Sequence, residues 1–358
     1  MRVGEAVRLA RFFVGLTIKE RFVPNWHVRP LVAELFLTEN CNLRCVSCAC
    51  WRSTTQGELT TVEWEDVLRQ LADARFHKVN LTGGEPLIRE DAIHLMEYAT
   101  RLRLRHLHLN TNGISLVPPT IERILAAGVR SFNISIDGPR ELHDRIRGRV
   151  GAFDQTVDHL RNLADQRARL PLRIRLNFTL MRDNVAALPA VAELAQELKV
   201  RLYLNLATDK TFLFRDEAVA HQTQVSGAEL GRAFAQLERL ARRRGDYLPR
   251  YSDLHYAALR FSEPMQRSVP CAESQLKLMV HSRGEIGGCW GHDPTANVRH
   301  TPIRDVIDSV EYRTEHARLF RKDCVGCGSN YSLNLRWRPG TYLDDLLWQF
   351  GRRRMGTS

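Results

Sequence analysis

The sequence predicts an α/β fold: a partial, open (β/α)6 barrel followed by a small C-terminal domain organised around a metal. Three observations carry this. Apolar, β-prone runs alternate with amphipathic stretches six times between residues 31 and 206. The alternation fades after about residue 215. Four of the eight cysteines then fall among glycine-rich turns, between residues 271 and 327. Strand-then-helix repetition implies parallel strands joined by helical crossovers. Six units are too few to close the usual eight-stranded barrel, so the sheet stays open.

The elements follow in order. "LVAELFLT" (31–38) reads as a first strand, apolar and β-prone. "TTVEWEDVLRQLADARF" (60–76) reads as a helix, with Thr60 and Glu63 placed for a capping box. "KVNLT" (78–82) is the second strand, followed by a helix around 89–102. "HLHLN" (106–110) is the third, and its helix, 118–127, ends near Gly128. "SFNISI" (131–136) precedes helix 152–167, and "LRIRLNFTL" (172–180) precedes helix 186–198. "RLYLNL" (201–206) is the sixth strand, and an arginine-rich helix at about 227–244 leads to the connector "YLPRYSDLHY". The chain thus divides into a basic amphipathic segment (1–30), the barrel (31–245), a small metal-organised domain (246–340) and a basic tail (341–358). In barrels of parallel strands, functional residues sit at strand C-termini.

The 358 residues carry 52 Lys+Arg against 41 Asp+Glu, a net charge of +11. The excess is scattered and no nucleic-acid module accompanies it, so a solvated basic surface is the reading. No apolar run is long enough to span a membrane, and residues 1–30 lack a clean apolar stretch followed by a small-residue cleavage site, so secretion is not expected. A cytoplasmic location is expected, where thiols stay reduced and clustered cysteines read as metal ligands. Residues 1–30 hold six Lys/Arg against two Glu around "RFFVGLTIKERFV", and the tail holds "LLWQFGRRR". Packing on the protein's own body is expected of both ends; a peripheral membrane contact is the alternative.

"CNLRCVSCAC" (41–50) places Cys41, Cys45 and Cys48 directly after the first strand. Spacing alone leaves zinc and an iron–sulfur cluster open, because thiolates bind both. Cys50 is either a small buried hydrophobe or a hydrogen-atom donor at the site. "LTGGEP" (81–86) ends the second strand, where Gly83 and Gly84 allow close backbone approach and Glu85 can hold an ammonium group. Cys271, Cys289, Cys324 and Cys327 form a second set, with zinc again open on spacing alone.

Together these motifs resemble the radical S-adenosylmethionine (SAM) superfamily. The resemblance covers roughly residues 31–340 and implies a partial (β/α)6 TIM-like barrel. It implies a 4Fe–4S cluster on Cys41, Cys45 and Cys48, whose fourth iron is chelated by SAM. Gly83, Gly84, Glu85 and Pro86 then face the methionine amino group. "NTNG" (110–113), "SIDGP" (135–139) and "HDRIRG" (143–148) fall where the family has similar stretches. By resemblance Asn112 belongs to the cofactor site, and Ser135, Asp137, Arg175 and Asn177 face SAM or substrate; His143 and Arg147 are polar contacts without assigned roles. Many family members carry an aromatic residue before the third cysteine; here it is Ser47, with Trp51 as a substitute face. That departure bears on the adenine contacts and not on the cluster.

The second cysteine set is similar to the SPASM/Twitch group. No cysteine follows Cys327, which fits the shorter Twitch form: an auxiliary 4Fe–4S cluster with four protein ligands. The implied reaction is reductive cleavage of SAM by an electron from a flavodoxin- or ferredoxin-type donor, then hydrogen-atom abstraction. Oxidation or epimerisation of a small sugar, polyol or aminocyclitol is the leading expectation, with Cys50 or Arg175 acting at the substrate. Modification of a ribosomally made peptide is the runner-up, and a lipid-linked substrate the third. A metal-stabilised binding protein without activity is the alternative from another class.

Overall fold

A computed structural model describes residues 3–23, 26–206, 227–244, 273–289 and 293–320. Its centre is a nine-stranded sheet in the order β6-β5-β4-β3-β2-β1-β7-β8-β9. The strands are β1 (Val32–Phe36), β2 (Lys78–Thr82), β3 (Leu107–Thr111), β4 (Ser131–Ser135), β5 (Arg173–Leu180), β6 (Arg201–Leu206), β7 (Lys277–Val280), β8 (Glu285–Gly287) and β9 (Ala296–Asn297). Strands β1 to β6 pair parallel in sequence order. β7 adds parallel to β1, and β8 and β9 follow antiparallel. The strands expected of a separate small domain therefore continue the barrel sheet past β1.

The helices between strands are α2 (Thr61–Asp73), α3 (Ala92–Arg101), α4 (Pro118–Ala126), α5 (Arg140–Arg147), α6 (Ala152–Asp165) and α7 (Leu188–Glu197), after an N-terminal α1 (Val3–Arg21). A later helix, α8, spans Gly227–Arg244. The capping box at α2 is present in full. Alternation along the strands sorts their side chains to two faces. Leu35, Leu81, Leu109, Ile134, Leu176 and Leu204 join one apolar core with Trp64 of α2, Leu95 of α3, Leu160 of α6 and Leu237 of α8. The opposite face is polar: in β5 the buried positions are Ile174, Leu176, Phe178 and Leu180, and Arg173, Arg175, Asn177 and Thr179 alternate with them. A parallel sheet covered by helices on one face only leaves that polar face as the inside of an open barrel.

α1 packs on the body through Phe12 and Leu16, which share a small core with Val28, Leu31, Val32, Leu276 and Phe320. Among the described residues no helix is long and apolar enough to cross a membrane.

Candidate functional site

The rim at the C-terminal ends of β1 and β2 is built around two glycines. A Cβ on Gly83 would lie 2.2 Å from the Thr38 carbonyl oxygen, and one on Gly84 2.0 Å from that of Asn40. Both are far inside van der Waals contact, so only glycine lets the post-β1 loop come this close. Across the gap Gly84 donates its N–H to Thr38 (2.7 Å) and Glu85 donates to Asn40 (2.9 Å). The β1–β2 ladder is thereby extended to the residue before Cys41. Glu58 accepts from the Thr38 hydroxyl (3.0 Å) and the Glu39 N–H (2.7 Å), and Asn40 Oδ1 accepts from the Cys41 N–H (2.9 Å). Arg89 reaches back to the carbonyls of Leu37 (3.0 Å) and Leu59 (2.9 Å), held by Asp91.

Glu85 is fully buried and its carboxylate is turned to the end of β3. It accepts from the Thr111 hydroxyl (2.8 Å) and from the N–H groups of Asn112 (2.7 Å) and Leu87 (3.1 Å). Burial pushes its carboxyl up to about 7 against those hydrogen bonds. Pro86 opens the short 3-10 turn Pro86–Ile88 and is buried. Asn112 Nδ2 donates to Asn42 Oδ1 (2.7 Å) and lies 3.9 Å from Cys41 Sγ, so β3 also supports the cysteine loop.

The loop's far side is clasped by α5. Arg44 and Val46 donate backbone N–H groups to the carbonyls of Arg147 (3.1 Å) and Ile146 (2.9 Å). Gly148, at φ 65°, caps α5, and a Cβ there would lie 2.5 Å from the Arg44 carbonyl. The rest of "HDRIRG" has a use as well. His143 Nδ1 accepts the Asp137 N–H (3.1 Å), and Asp144 accepts from Gly151 and Phe153 at the start of α6 (2.6 and 2.8 Å). Arg147 pairs with Asp137 at 2.6 Å and reaches Cys45 Sγ at 3.7 Å. Burial opposes the Arg147 charge, but Asp137 and then Cys45 outweigh it and raise its pKa. Burial pushes the Asp137 carboxyl up, against the Arg147 cation and the Thr179 N–H that favour its carboxylate; the guanidinium keeps its proton, so Arg147 is the cation beside Cys45.

Burial pushes Cys41 up to about 12 and raises Cys45. Cys48 is lowered to about 7 by a hydrogen bond from the Cys50 thiol, while that bond and burial raise Cys50. Cys50 is 6% exposed and its N–H also points at Cys48 Sγ, at 3.5 Å. Buried thiols of raised pKa ionise when a metal supplies compensating charge. Among the described residues no three Cys, His, Asp or Glu side chains converge on a single-ion point. A cluster does not ask for that, since each thiolate binds its own iron. Three thiols on one pinned loop, with a guanidinium beside one of them, fit such a group.

The other expected residues line the neighbouring strand ends. Ser135 lies in register with Asn177, and Asn177 Oδ1 accepts from Asn205 (2.9 Å). Asp137 is engaged internally, by Arg147 and by the Thr179 N–H (2.9 Å). Arg175 sits one same-face step before Asn177, beside Asn133 and Arg201 in register and 5.8 Å from the Tyr203 ring. Trp51 is flanked by Arg44 (5.9 Å) and Arg52 (5.0 Å). Cys289 follows β8; Cys271, Cys324 and Cys327 lie outside the described residues. Sequence reasoning missed Arg283 and Arg299, which tie the β7–β9 strands to the segments on either side of the cysteines. Arg283 meets Glu39 (2.7 Å) and the Thr54 and Gln56 carbonyls (2.7 and 3.0 Å), and Arg299 meets Glu63 (2.6 Å). Two isolated arginines among 52 Lys+Arg give no signal in sequence.

An open parallel barrel with three thiols on the loop after β1 defines a class, and the comparisons agree with it. The family model for the radical SAM superfamily matches residues 35–207. An AdoMet-dependent heme synthase from Methanosarcina barkeri is 30% identical over 304 residues, covering 80% of this chain and 82% of that protein. The chain belongs to the radical SAM superfamily. The mycofactocin maturase MftC of Mycobacterium tuberculosis is 35% identical over 178 residues, 49% of this chain and 44% of that one. In fold, the chain matches SuiB of Streptococcus suis, solved with S-adenosylmethionine, at TM-score 0.62 and 17% identity over 88% of this chain and 71% of that one.

Proposed function

We propose that this radical SAM enzyme abstracts hydrogen from a small polar substrate of the sugar, polyol or aminocyclitol type and oxidises or epimerises it. The observation that carries the enzyme class is the pinned loop of Cys41, Cys45 and Cys48 against Gly83 and Gly84. When bound, the cluster these thiols would hold supplies one electron to SAM, whose carbon–sulfur bond breaks to give methionine and a 5′-deoxyadenosyl radical. The chain's own residues position and enclose. Gly83 and Gly84 bring the cysteine loop to the rim, and Glu85 fixes that rim to β3. The polar barrel face supports a polar substrate: Asn110, Asn133, Asn177, Asn205, Ser131 and Thr179 alternate with core residues there. A Twitch-type auxiliary cluster on Cys271, Cys289, Cys324 and Cys327 would take the electron left by an oxidised substrate. A flavodoxin- or ferredoxin-type protein would deliver the first one.

Similarity to the heme synthase supports a second reading, a larger substrate of the porphyrin carboxylate type. The heme synthase match spans most of both chains. On the barrel face, burial first, then Lys78, Arg175 and Arg173, drive the His108 pKa well below its ordinary value, so three cations share one neighbourhood. Carboxylates suit such a surface. The test is anaerobic reconstitution with iron and sulfide, then dithionite, SAM and either deuterated polyols and aminocyclitols or deuterated porphyrin carboxylates. About eight irons per chain and deuterium in 5′-deoxyadenosine from one class are expected. A protein that carries zinc and forms no 5′-deoxyadenosine overturns the enzyme class.

A further inference from the structure

A charged guanidinium lies beside a cluster thiol, at the end of a chain of contacts that fixes its position. Arg147 leaves α5 with its side chain 12% exposed and its partner Asp137 at 2%. Asp137 holds one terminal nitrogen at 2.6 Å, and the other lies 3.7 Å from Cys45 Sγ. Asp137 is itself immobilised by the Thr179 N–H, by its own N–H on His143, and by Asn184 Nδ2 on its carbonyl (3.1 Å). Arg147 Nε is buried and unpartnered among the described residues, so the side chain is placed for charge and not to satisfy all its donors. The main chain of Arg147 meanwhile accepts from Arg44, the residue before Cys45.

We propose that Arg147 is a positioning residue whose cation, oriented by Asp137, eases one-electron reduction of the cluster carried by Cys41, Cys45 and Cys48. The inference rests on the cluster reading above. Reduction adds one electron, from the flavodoxin- or ferredoxin-type donor, and makes a thiolate-bound cluster more negative by one unit. A cation and an N–H donor beside a ligand sulfur stabilise that more negative form, and hydrogen bonds to cluster sulfurs are a recognised control of potential. Asp137 works the other way at longer range, so the two side chains are a matched pair of opposite sign.

That opposition makes the test specific. Reconstituted wild type, Arg147→Gln, Arg147→Lys and Asp137→Asn are titrated with reductant while the reduced cluster is followed by electron paramagnetic resonance, with iron per chain measured on the same samples. Arg147→Gln is expected to shift the midpoint to lower potential, Asp137→Asn to higher, and Arg147→Lys to stay near wild type. A purely structural role predicts that Arg147→Gln and Asp137→Asn both lower the melting temperature and iron retention while the midpoint stays put; that result overturns the proposal. Should Arg147→Gln fail to load, Arg147→Met, which keeps an apolar stem and lacks the cation, takes its place: a midpoint at wild type in loaded protein rejects the idea. A wild type that never holds four irons rejects the underlying cluster reading instead, so the two failures are distinguishable.

Discussion

The helix-covered face of the sheet and the cysteine loop at its rim are held by different forces. Trp64, Leu35, Leu81 and Leu95 are fully buried among other apolar side chains. The loop from Thr38 to Cys50 has one small apolar patch, Leu43 with Ile114 and Ala152 against Cys41 and Cys45, and is otherwise held by hydrogen bonds: Glu58 on Thr38 and Glu39, the Gly84 and Glu85 amides on Thr38 and Asn40, α5 carbonyls on Arg44 and Val46. Apolar burial is non-directional and sums over area; hydrogen bonds fix position and contribute about 1 kcal/mol net each. The core therefore decides whether the chain folds, and the loop decides where its thiols stand.

The sharpest way to separate the two is to remove Cys41, Cys45 and Cys48 together as alanines. Loss of about four irons per chain and of all 5′-deoxyadenosine formation is expected, with thermal unfolding close to wild type, because the loop's anchors are backbone groups. Iron retained at wild-type level would place the cluster elsewhere. The converse experiment is Trp64→Ala. It leaves a cavity in the helix face at a cost of about 3–5 kcal/mol, read from denaturant midpoints. Whatever protein stays folded should load iron normally; if its loading falls in proportion to stability, core and loop are one unit.

Gly84→Ala tests the seam between them. The added methyl meets the Asn40 carbonyl at 2.0 Å, and Asn40 precedes Cys41. The expected outcome is iron content reduced by more than half for a destabilisation of about 1–3 kcal/mol, the range of forced overpacking. A full complement of iron would show that the loop adapts and that its pinning is not what places the thiols.

How far such contacts were legible in the sequence depends on whether a residue's role is periodic. Strands β1 to β6 showed themselves because each alternates or runs apolar between turn residues, and Thr60–Glu63 because a capping box is local. Helix α5, "RELHDRIR", was missed: only His143 and Ile146 are buried, so no apolar stripe marks it. Nothing in "KLMV" itself marks its neighbour; only its pairing shows that this strand of the 246–340 segment extends the barrel sheet beside β1. The thiols and glycines of the site were legible because their chemistry requires those residue types. For Glu85 the sequence suggests an ammonium partner but not its protein donors, Thr111, Asn112 and Leu87, which only the fold brings to this buried carboxylate. The Asp137–Arg147 pair needed the fold, because the turn into α5 brings together residues of two separate motifs.

A pH experiment probes the clasp on the loop's far side. Burial first, and then Arg147, lower the His143 pKa to about 3. Between that value and the ordinary 6.5, the unfolded chain binds a proton there that the folded chain does not. Stability from His143 is thus complete above about pH 6.5 and lost as pH falls, with a slope of at most about 1.4 kcal/mol per pH unit. His143→Gln keeps an acceptor for the Asp137 N–H and cannot titrate. Urea midpoints at pH 5 and pH 7 should differ less in this variant than in wild type; an unchanged difference would move the acid sensitivity to other buried histidines, such as His316, lowered by burial to about 3.

The smallest expected effect concerns Cys50, for which two roles compete. A hydrogen-atom donor must present its sulfur to the substrate radical. Cys50 is instead 6% exposed and hydrogen-bonds Cys48 through both its thiol and its N–H. Replacing it with alanine removes the thiol bond and keeps the N–H, a loss of about 1 kcal/mol or about fivefold in an equilibrium. Cys50→Ala should therefore retain iron and form 5′-deoxyadenosine within about fivefold of wild type, with product in proportion. Measuring both products in the same reaction decides the matter. If 5′-deoxyadenosine continues while substrate product disappears or deuterium from solvent no longer enters it, Cys50 is the donor, and the inward turn of its thiol describes only the chain before substrate binds.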